Sequence, residues 1–225
     1  MCDTVWQPVC GDWQVAVSAV HTFGADALLL SDFAAPARGE RVCDLGTGCG
    51  AIALRLCAAG QPAAVHGIDI SPDAIALAER SAAALPADAR VRPTFAVGDW
   101  HTPTALGAPG SFDRVVCNPP YFPPDSGGIS ADPARRIARH EQPGTLAAVC
   151  GAAAWLLRNG GKFCLCHRPE QLPRVLAALS AAGLEPKRLR PVQRRADTPP
   201  WLFLLEARKG GHPGLCWEAP IIEEK

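Results

Sequence analysis

The chain contains no long apolar run, and only 20% of its residues are charged. No stretch reaches the roughly 18 to 20 uninterrupted apolar residues that a membrane-spanning helix needs. The first residues also lack the basic segment and the apolar segment that make up an export signal. We therefore expect a soluble, cytoplasmic protein.

The sequence shows no internal repeat and no collagen-like, coiled-coil or mucin-like composition. Its 225 residues, 48% of them hydrophobic, suffice for one sizeable core but hardly for two. The same values argue against a globally disordered chain. We expect a single domain that spans residues 1–225.

Cysteine pairs with the spacing of a metal clamp are absent, although the chain has ten cysteines. Only Cys164 and Cys166 lie close together, and on a strand the one residue between them places both side chains on the same face. Without an export signal, a disulfide scaffold is not expected either. We predict reduced, buried thiols and no metal site.

The net charge is zero, which argues against a protein that coats nucleic acid non-specifically. The charges are unevenly placed, however. Residues 1–113 hold 6 basic and 12 acidic residues, whereas residues 114–225 hold 16 basic and 10 acidic residues. The first half suits a cationic ligand and the second half an anionic one, unless the difference is chance variation among solvated charges.

Helix and strand patterns alternate along the chain and predict a βαβ series. Predicted helices cover residues 25–34, 50–59, 72–84, 144–158 and 169–182, and predicted strands cover 41–45, 64–70, 91–98, 112–117, 162–167, 186–194 and 201–208. Only a short turn separates the last two strands, so we expect them to pair antiparallel. The predicted α/β fold has seven strands in a mostly parallel sheet, a C-terminal antiparallel strand pair and helices on both faces.

Two segments lie outside this pattern. The stretch through Trp13 reads as irregular, and we expect residues 1–40 to form a lid over a cofactor or substrate. Residues 119–143 are rich in proline, glycine, serine and aspartate, and they are too long for a routine connection. We predict that they form a substrate-binding loop.

A glycine-rich loop follows the first strand of the series, with the sequence D-L-G-T-G-C-G from Asp44 to Gly50. Its glycines allow a tight turn and close approach of a ligand to the backbone. Asp69 ends the next strand, where an acid can accept hydrogen bonds from both ribose hydroxyls of an adenosine ligand. The alternatives are a purely structural turn and an aspartate that merely caps the following helix.

The usual dinucleotide pattern G-x-G-x-x-G is absent from this loop. Asp44 is poorly placed for a phosphate but suits an ammonium group, so a cationic cofactor without phosphates is favoured. S-adenosylmethionine fits these features. Asp99 would then reach its adenine amino group while Trp100 packs on the ring, although Trp100 could also be a plain core or surface aromatic.

The most specific motif is Asn118, Pro119, Pro120 and Tyr121, directly after the strand predicted at 112–117. The exocyclic amine of a base or an amide is a poor nucleophile because its lone pair is delocalised. The Asn118 side-chain oxygen and the Pro119 carbonyl can accept both N–H groups and aim the lone pair at a sulfonium methyl. The prolines stiffen the loop, and Tyr121 offers a face for stacking. A proline turn that only ends a strand is the alternative.

Together these motifs resemble the class I S-adenosylmethionine-dependent methyltransferases of the amino-methylating N-P-P-Y branch, which have a Rossmann-like fold. Segments 21–30, 137–141, 167–172 and 184–192 are similar to the bacterial tRNA1(Val) adenine-37 N6-methyltransferase family. The similarity extends over about residues 15 to 222. It implies a monomeric enzyme of tRNA modification that binds RNA and forms N6-methyladenosine, most simply in the anticodon loop of tRNA-Val.

The resemblance also implies roles for individual residues. Asn118, Pro119, Pro120 and Tyr121 would hold the target amine, and Asp26 would help to close the methionine end of the cofactor. Ala25 and Cys49 depart from the threonine and serine that are usual in the family, which weakens polar contacts without removing the site. The complete cofactor site is then Asp26, Asp44, Gly46, Thr47, Gly48, Cys49, Gly50, Asp69, Ile70, Asp99 and Trp100.

Residues after the N-P-P-Y motif and a second, later group of basic residues are candidates for RNA contact. Phe122, Arg135, Arg136, Arg139 and His140 follow the N-P-P-Y motif, and we predict that they bind the substrate. A general base at His140 is not required, because the methylated ammonium is acidic and loses its proton to water. The late basic cluster, defined as Lys187, Arg188, Arg190, Arg194 and Arg195, is consistent with RNA contact and with solvated surface charge.

Three other functions remain open from the sequence. A glutamine methyltransferase of translation release factors uses the same N-P-P-Y chemistry, but it usually carries a helical N-terminal domain, for which only about 40 residues precede the first strand of the series. A DNA adenine methyltransferase usually carries a separate target-recognition domain. A non-catalytic RNA-binding methyltransferase fold would tolerate loss of Asn118 or Asp69, yet both are present.

Overall fold

The computed structural model describes residues 4–120 and 144–223. The strands within these ranges are β1 (Val5–Cys10), β2 (Trp13–Val17), β3 (Arg41–Leu45), β4 (Ala64–Asp69), β5 (Thr94–Val97), β6 (Phe112–Cys117), β7 (Leu157–His167), β8 (Leu184–Gln193), β9 (Leu202–Lys209), β10 (Cys216–Trp217) and β11 (Ile221–Ile222). The helices are α1 (Ala25–Ala34), α2 (Ala51–Ala59), α3 (Pro72–Ala83), α4 (Pro103–Leu106), α5 (Thr145–Leu156) and α6 (Leu172–Ala181), with a 3-10 turn at Pro169–Gln171 before α6.

Within the described ranges, strands β3 to β11 form one nine-stranded sheet in the order β10-β8-β9-β7-β6-β3-β4-β5, with β11 also paired to β8. Strands β3 to β7 pair in parallel, whereas β9 runs antiparallel to both β7 and β8. The predicted α/β fold with its C-terminal antiparallel pair is confirmed. The two-residue strands β10 and β11 extend the edge beyond the seven predicted strands.

The central strands are buried on both faces, which explains their nearly continuous apolar sequences. Val115 and Val116 on β6 are both fully buried although they point to opposite faces of the sheet. The core around Val115 includes α5 and α6, and the core around Val116 includes α1 and α2. Because helices cover both faces, the ends of the strands are left to form the site.

The N-terminal segment is not irregular, so that prediction was wrong. Strands β1 and β2 form an antiparallel hairpin, in which Val15 and Val17 are buried beside residues of α2. The backbone N–H of Ala16 donates to the buried Ser81 hydroxyl on α3 at 2.8 Å. Contacts with distant helices therefore hold a short hairpin whose own sequence gives a weak strand signal.

The boundary between α5 and β7 also differs from the prediction. The strand begins at Leu157, five residues before the predicted start, because Leu157 already pairs with Phe112. The next pair joins Lys162 to Arg114, so residues 158–161 bulge out of the ladder. The sequence Asn-Gly-Gly at 159–161 was correctly identified as a break, but it interrupts the strand rather than preceding it.

The described thiols are mostly buried. Burial raises the pKa of Cys49, Cys57 and Cys150 to about 12, so these thiols stay protonated at neutral pH. Residues 4–120 and 144–223 contain no group of three or more histidine, cysteine or acidic side chains arranged to hold a metal ion. No helix in these ranges is long and apolar enough to cross a membrane.

Candidate active site

A cavity of about 650 Å³ opens at the carboxyl ends of strands β3, β4 and β6. Parallel strands end at the same edge of a sheet, and the loops that follow them meet there. The loop between β2 and α1 also contributes to the cavity lining. Its lining comprises Val20, His21, Thr22, Phe23, Gly24, Asp26, Ala27, Gly46, Thr47, Gly48, Cys49, Ala51, Ile52, Asp69, Ile70, Ser71, Pro72, Trp100, Asn118, Pro119 and Pro120.

The glycine-rich loop lies flat against the end of β4. The backbone N–H groups of Gly46 and Thr47 both donate to the carbonyl of Ile68, at 2.8 and 2.9 Å. Gly46 has a φ of 80°, and a Cβ at this position would lie 3.0 Å from the Trp100 ring. Only glycine satisfies both conditions, so Trp100 packs directly on the loop and both line the cavity.

Asp69 is held at the end of β4 by two backbone donors. Its Oδ2 accepts from Gly48 N at 2.8 Å, and its Oδ1 accepts from Ser71 N at 2.9 Å. Each carboxylate oxygen can accept a further hydrogen bond, so this anchoring leaves capacity for two hydroxyl donors. Asp69 therefore presents a fixed pair of acceptors to the cavity, next to the exposed side chain of Ile70.

Asp44 differs from the prediction, because it is fully buried and is not among the lining residues. Its Oδ2 accepts a 2.6 Å hydrogen bond from the Thr47 hydroxyl. Burial raises the pKa of Asp44 to about 7, against the lowering effect of the Thr47 hydrogen bond. The carboxyl group stabilises the loop through its hydrogen bond with Thr47 and does not face the cavity.

Gly50 and Asp99 also lie outside the cavity lining. Gly50 caps α2 with a φ of 85°, and a Cβ there would lie 3.0 Å from the Cβ of Ala78, so it serves close packing against α3. The Asp99 carboxylate accepts from the backbone and ring nitrogens of His101 at 2.9 and 2.8 Å. The backbone hydrogen bond is the main reason that the pKa of Asp99 is lowered.

Asn118, at the end of β6, lines the cavity together with Pro119 and Pro120. Its Nδ2 donates to Oδ2 of Asp26 at 3.1 Å, across 92 residues of sequence. The Cys166 thiol, at the end of β7, donates to Asn118 Oδ1 at 3.2 Å. The fold thus joins the N-P-P-Y segment to α1 and to β7, and the Cys166 contact was not predicted.

Several predicted site residues lie outside the described ranges. These residues are Tyr121, Phe122, Arg135, Arg136, Arg139 and His140. Conversely, the cavity includes residues that pattern reasoning missed, such as His21, whose Nε2 lies 3.4 Å from the Ser71 hydroxyl. The family resemblance of segment 21–30 was the available signal for this part of the site.

The cations of the late basic cluster have partners within the protein. Four of them contact acidic side chains: Arg188 with Glu206 and Glu218, Arg190 with Glu218, Arg194 with Glu223 and Arg195 with Asp197. Lys187 donates to the carbonyl of His212 at 2.9 Å. These partners neutralise most of the cluster, so the structure favours its interpretation as internally paired surface charge.

The charge of the cavity decides which ligand it fits. Two carboxylates, Asp26 and Asp69, are among the lining residues, whereas none of the lining residues in the described ranges is lysine or arginine. A pyrophosphate would be repelled here, and a cation without phosphate groups would be attracted. Trp100 adds a flat aromatic surface for a purine.

Comparison with known proteins agrees with this geometry. The family model for a methyltransferase domain matches residues 36–185. The tRNA1(Val) (adenine(37)-N6)-methyltransferase of Tolumonas auensis is 32% identical over 189 residues, which cover 83% of this chain and 76% of that protein. The chain belongs to this methyltransferase family.

One further relative and one solved structure are also similar to this methyltransferase. A release factor glutamine methyltransferase of Bordetella pertussis is 36% identical over 179 residues, covering 76% of this chain but only 60% of the relative. A solved structure of a predicted O-methyltransferase from Agrobacterium tumefaciens shares the fold, with a TM-score of 0.69, 24% identity and coverage of 88% and 86% of the two chains. S-adenosylmethionine is the methyl donor, and the acidic, phosphate-excluding cavity fits it.

Proposed function

We propose that this methyltransferase transfers a methyl group from S-adenosylmethionine to the N6 amine of an adenine in tRNA, in the anticodon loop of tRNA-Val. The observation that carries the proposal is the position of Asn118 and Pro119 beside Asp69 and Trp100 in one cavity. The two residues proposed to orient the amine and the two proposed to bind adenosine therefore line the same cavity. The full-length similarity to adenine-N6 methyltransferases supports the choice of substrate.

The protein contributes to the mechanism by orienting the cofactor and the target amine. Bound S-adenosylmethionine supplies an electrophilic methyl group on a sulfonium centre. We assign to Asp69 the two ribose hydroxyls, to Trp100 the adenine ring and to Asp26 a place near the methionine end. The wall of the cavity beside the cofactor is formed by Gly46, Thr47, Gly48, Cys49 and Ile70. Asp44 and Gly50 stabilise the glycine-rich loop without facing the cavity. Asp99 would have to turn from His101 to reach the adenine amino group.

The target amine is held by the N-P-P-Y segment. Asn118 Oδ1 and the Pro119 carbonyl accept its two N–H groups, which localises the lone pair on nitrogen and directs it at the methyl group. We assign to Tyr121 the stacking of the extruded base. No strong base is needed, because the methylated ammonium releases its proton to water.

We assign RNA binding to the segment that follows. Residues 119–143 form the substrate loop in this proposal, with Phe122 as a stacking surface and Arg135, Arg136, Arg139 and His140 as phosphate contacts. Within the segment 1–40, we assign the role of a lid to residues 20–27, which contribute to the cavity lining. The internal pairing of the late basic cluster supports this choice, because it leaves the loop as the stronger candidate for binding phosphates.

The test uses the purified chain and methyl-labelled S-adenosylmethionine in two separate reactions, one with total bacterial tRNA from a strain that lacks this gene and one with a bacterial release factor. Nucleoside mass spectrometry identifies the labelled product. Labelled N6-methyladenosine is the expected result. Methylation of release factor instead of tRNA would favour the glutamine methyltransferase activity, for which the Bordetella pertussis relative is the specific reason. RNA binding without any methyl transfer would indicate a non-catalytic role.

A further inference from the structure

The side-chain amide of Asn118 has a fixed neighbour on each side. Its Nδ2 faces the Asp26 carboxylate at 3.1 Å, and its Oδ1 faces the Cys166 thiol at 3.2 Å. The proposed mechanism needs an acceptor from this amide, because the substrate amine contributes two donors. An amide turned by 180° would present its NH2 group instead and repel the substrate.

The contact with Asp26 favours one orientation of the amide. An ionised carboxylate accepts hydrogen bonds but donates none, so it stabilises only the orientation in which Nδ2 faces it. The Cys166 thiol is a weak donor and favours the same orientation from the opposite side. Both neighbours therefore keep the Asn118 oxygen on the side away from Asp26.

The Asp26 carboxylate is itself fixed in place. Its Oδ1 accepts from Ala27 N at 3.0 Å in the first turn of α1, where the helix N-terminus favours negative charge. A Cβ at Gly24 would lie 2.7 Å from this oxygen, so the glycine leaves the room that the carboxylate occupies. A rigid carboxylate can impose its orientation on a neighbouring amide, whereas a mobile one would follow it.

We propose that Asp26 is a positioning residue for methyl transfer, which holds the Asn118 amide so that its oxygen receives the substrate amine. This inference rests on the proposed amine methylation. It goes beyond a contact of Asp26 with the cofactor, because it places the effect of Asp26 on the turnover number at saturating S-adenosylmethionine rather than on cofactor affinity alone.

The decisive experiment exchanges the carboxylate at position 26 and the amide at position 118. In Asn118→Asp, two carboxylates face each other, and the pair loses its hydrogen bond. In the double variant Asp26→Asn with Asn118→Asp, the amide at 26 donates to the carboxylate at 118, whose second oxygen remains an acceptor for the substrate. We expect the double variant to turn over at least about tenfold faster than Asn118→Asp alone, with S-adenosylmethionine affinity within about threefold of the wild type.

Asp73→Asn is the matched control. Asp73 also lies in the first turn of a helix beside the cavity, but it is exposed and belongs to α3. Its substitution should leave turnover unchanged. Two results would overturn the proposal: an exchange variant no faster than Asn118→Asp, or an Asp26→Asn variant whose only defect is weaker cofactor binding.

A measurement without substrate separates this inference from the proposed function. The two single variants and the double variant form a thermodynamic cycle for unfolding of the cofactor-free protein. We expect the double variant to be more stable than additivity predicts, by about threefold to tenfold in the unfolding equilibrium constant. If the wild type methylated no tRNA, the proposed function would fail while this cycle still tested the pair; additive effects would refute the pairing.

Discussion

Thr47 donates a 2.6 Å hydrogen bond to the carboxylate of Asp44, three residues earlier, in the buried base of the glycine-rich loop. A backbone hydrogen bond from Ala53 also lowers the pKa of Asp44, but the effect of burial outweighs both hydrogen bonds. The glycine-rich loop is therefore supported by an acid whose charged form is only partly compensated. This arrangement makes the stability of the site dependent on pH.

The first prediction concerns that dependence. The pKa of Asp44 is about 7 in the folded protein, above its ordinary value of 3.8, so the folded state binds the proton more tightly than the unfolded chain. The stabilisation conferred by the protonated group is complete below about pH 4 and is lost as the pH rises through 7. Its upper bound is about 4 kcal/mol, from about 1.4 kcal/mol for each pKa unit.

Chemical denaturation at pH 5, 6, 7 and 8 measures this effect. The Asp44→Asn variant has no titratable group at position 44. Its unfolding free energy should therefore fall less than that of the wild type between pH 5 and 8. Parallel curves for the two proteins would show that Asp44 does not titrate in this range.

The second prediction concerns the close contact between Gly46 and Trp100. In Gly46→Ala, the new Cβ meets the indole ring at 3.0 Å and strains a backbone with φ of 80°. We expect at least a tenfold loss of S-adenosylmethionine affinity by calorimetry. Gly39→Ala is the matched control, since Gly39 has a φ of 83° with nothing within 4 Å of a Cβ. It should cost about 1 kcal/mol of stability and leave affinity unchanged. Equal affinities for both variants would contradict the steric argument.

The third prediction separates chemistry from cofactor binding. Asn118→Ala removes an acceptor for the target amine, and we expect at least a hundredfold decrease in methyl transfer. S-adenosylmethionine affinity should change by less than about fivefold, because Asp69 and Trp100 remain. Single-turnover assays and calorimetry on the same preparation provide both values. A parallel loss of affinity and rate would remove Asn118 from the role assigned to it.

The fourth prediction concerns a buried ion pair between β6 and β9. Arg114 and Glu206 are 2% and 4% exposed, and their charges meet at 3.2 Å. Arg114→Met leaves Glu206 buried with part of its pairing lost, so we expect the unfolding free energy to fall by about 3 kcal/mol or more. Arg195→Ala breaks the exposed pair with Asp197, which solvent screens, and should leave the unfolding free energy nearly unchanged. Denaturant titration of both variants tests the contrast.

The fifth prediction compares two basic regions in RNA binding. Arg135→Ala combined with Arg136→Ala should weaken tRNA binding by about tenfold and flatten its salt dependence, because two phosphate contacts are lost. Arg194→Ala combined with Arg195→Ala should leave binding within about twofold, since both cations already have acidic partners. Filter binding at several salt concentrations distinguishes these outcomes. A larger effect of the second variant would reassign RNA binding to the late basic cluster.

The sequence predicted structure best in short segments whose own residues determine the local conformation. Apart from the short helix α4, which was not predicted, the order of strands and helices from α1 to β9 followed from apolar periodicity, and the loop beginning at Gly46 followed from its glycines. The hairpin β1–β2 was missed because Val15 and Val17 are fixed by distant helices rather than by a strong strand pattern. The break at 159–161 was recognised, but its place inside β7 depends on the pairing of Leu157 with Phe112.

The sequence alone determined the fold class and the cofactor type and predicted the N-P-P-Y chemistry, because each of these depends on residue types at short spacings. Only the tertiary structure decided that Asp44 lies beneath the cavity and that Asp26 and Asn118 are partners across 92 residues. Burial and long-range hydrogen bonds arise from the packing of α1 and β7 around the end of β6. No local pattern encodes which side chains that packing brings together.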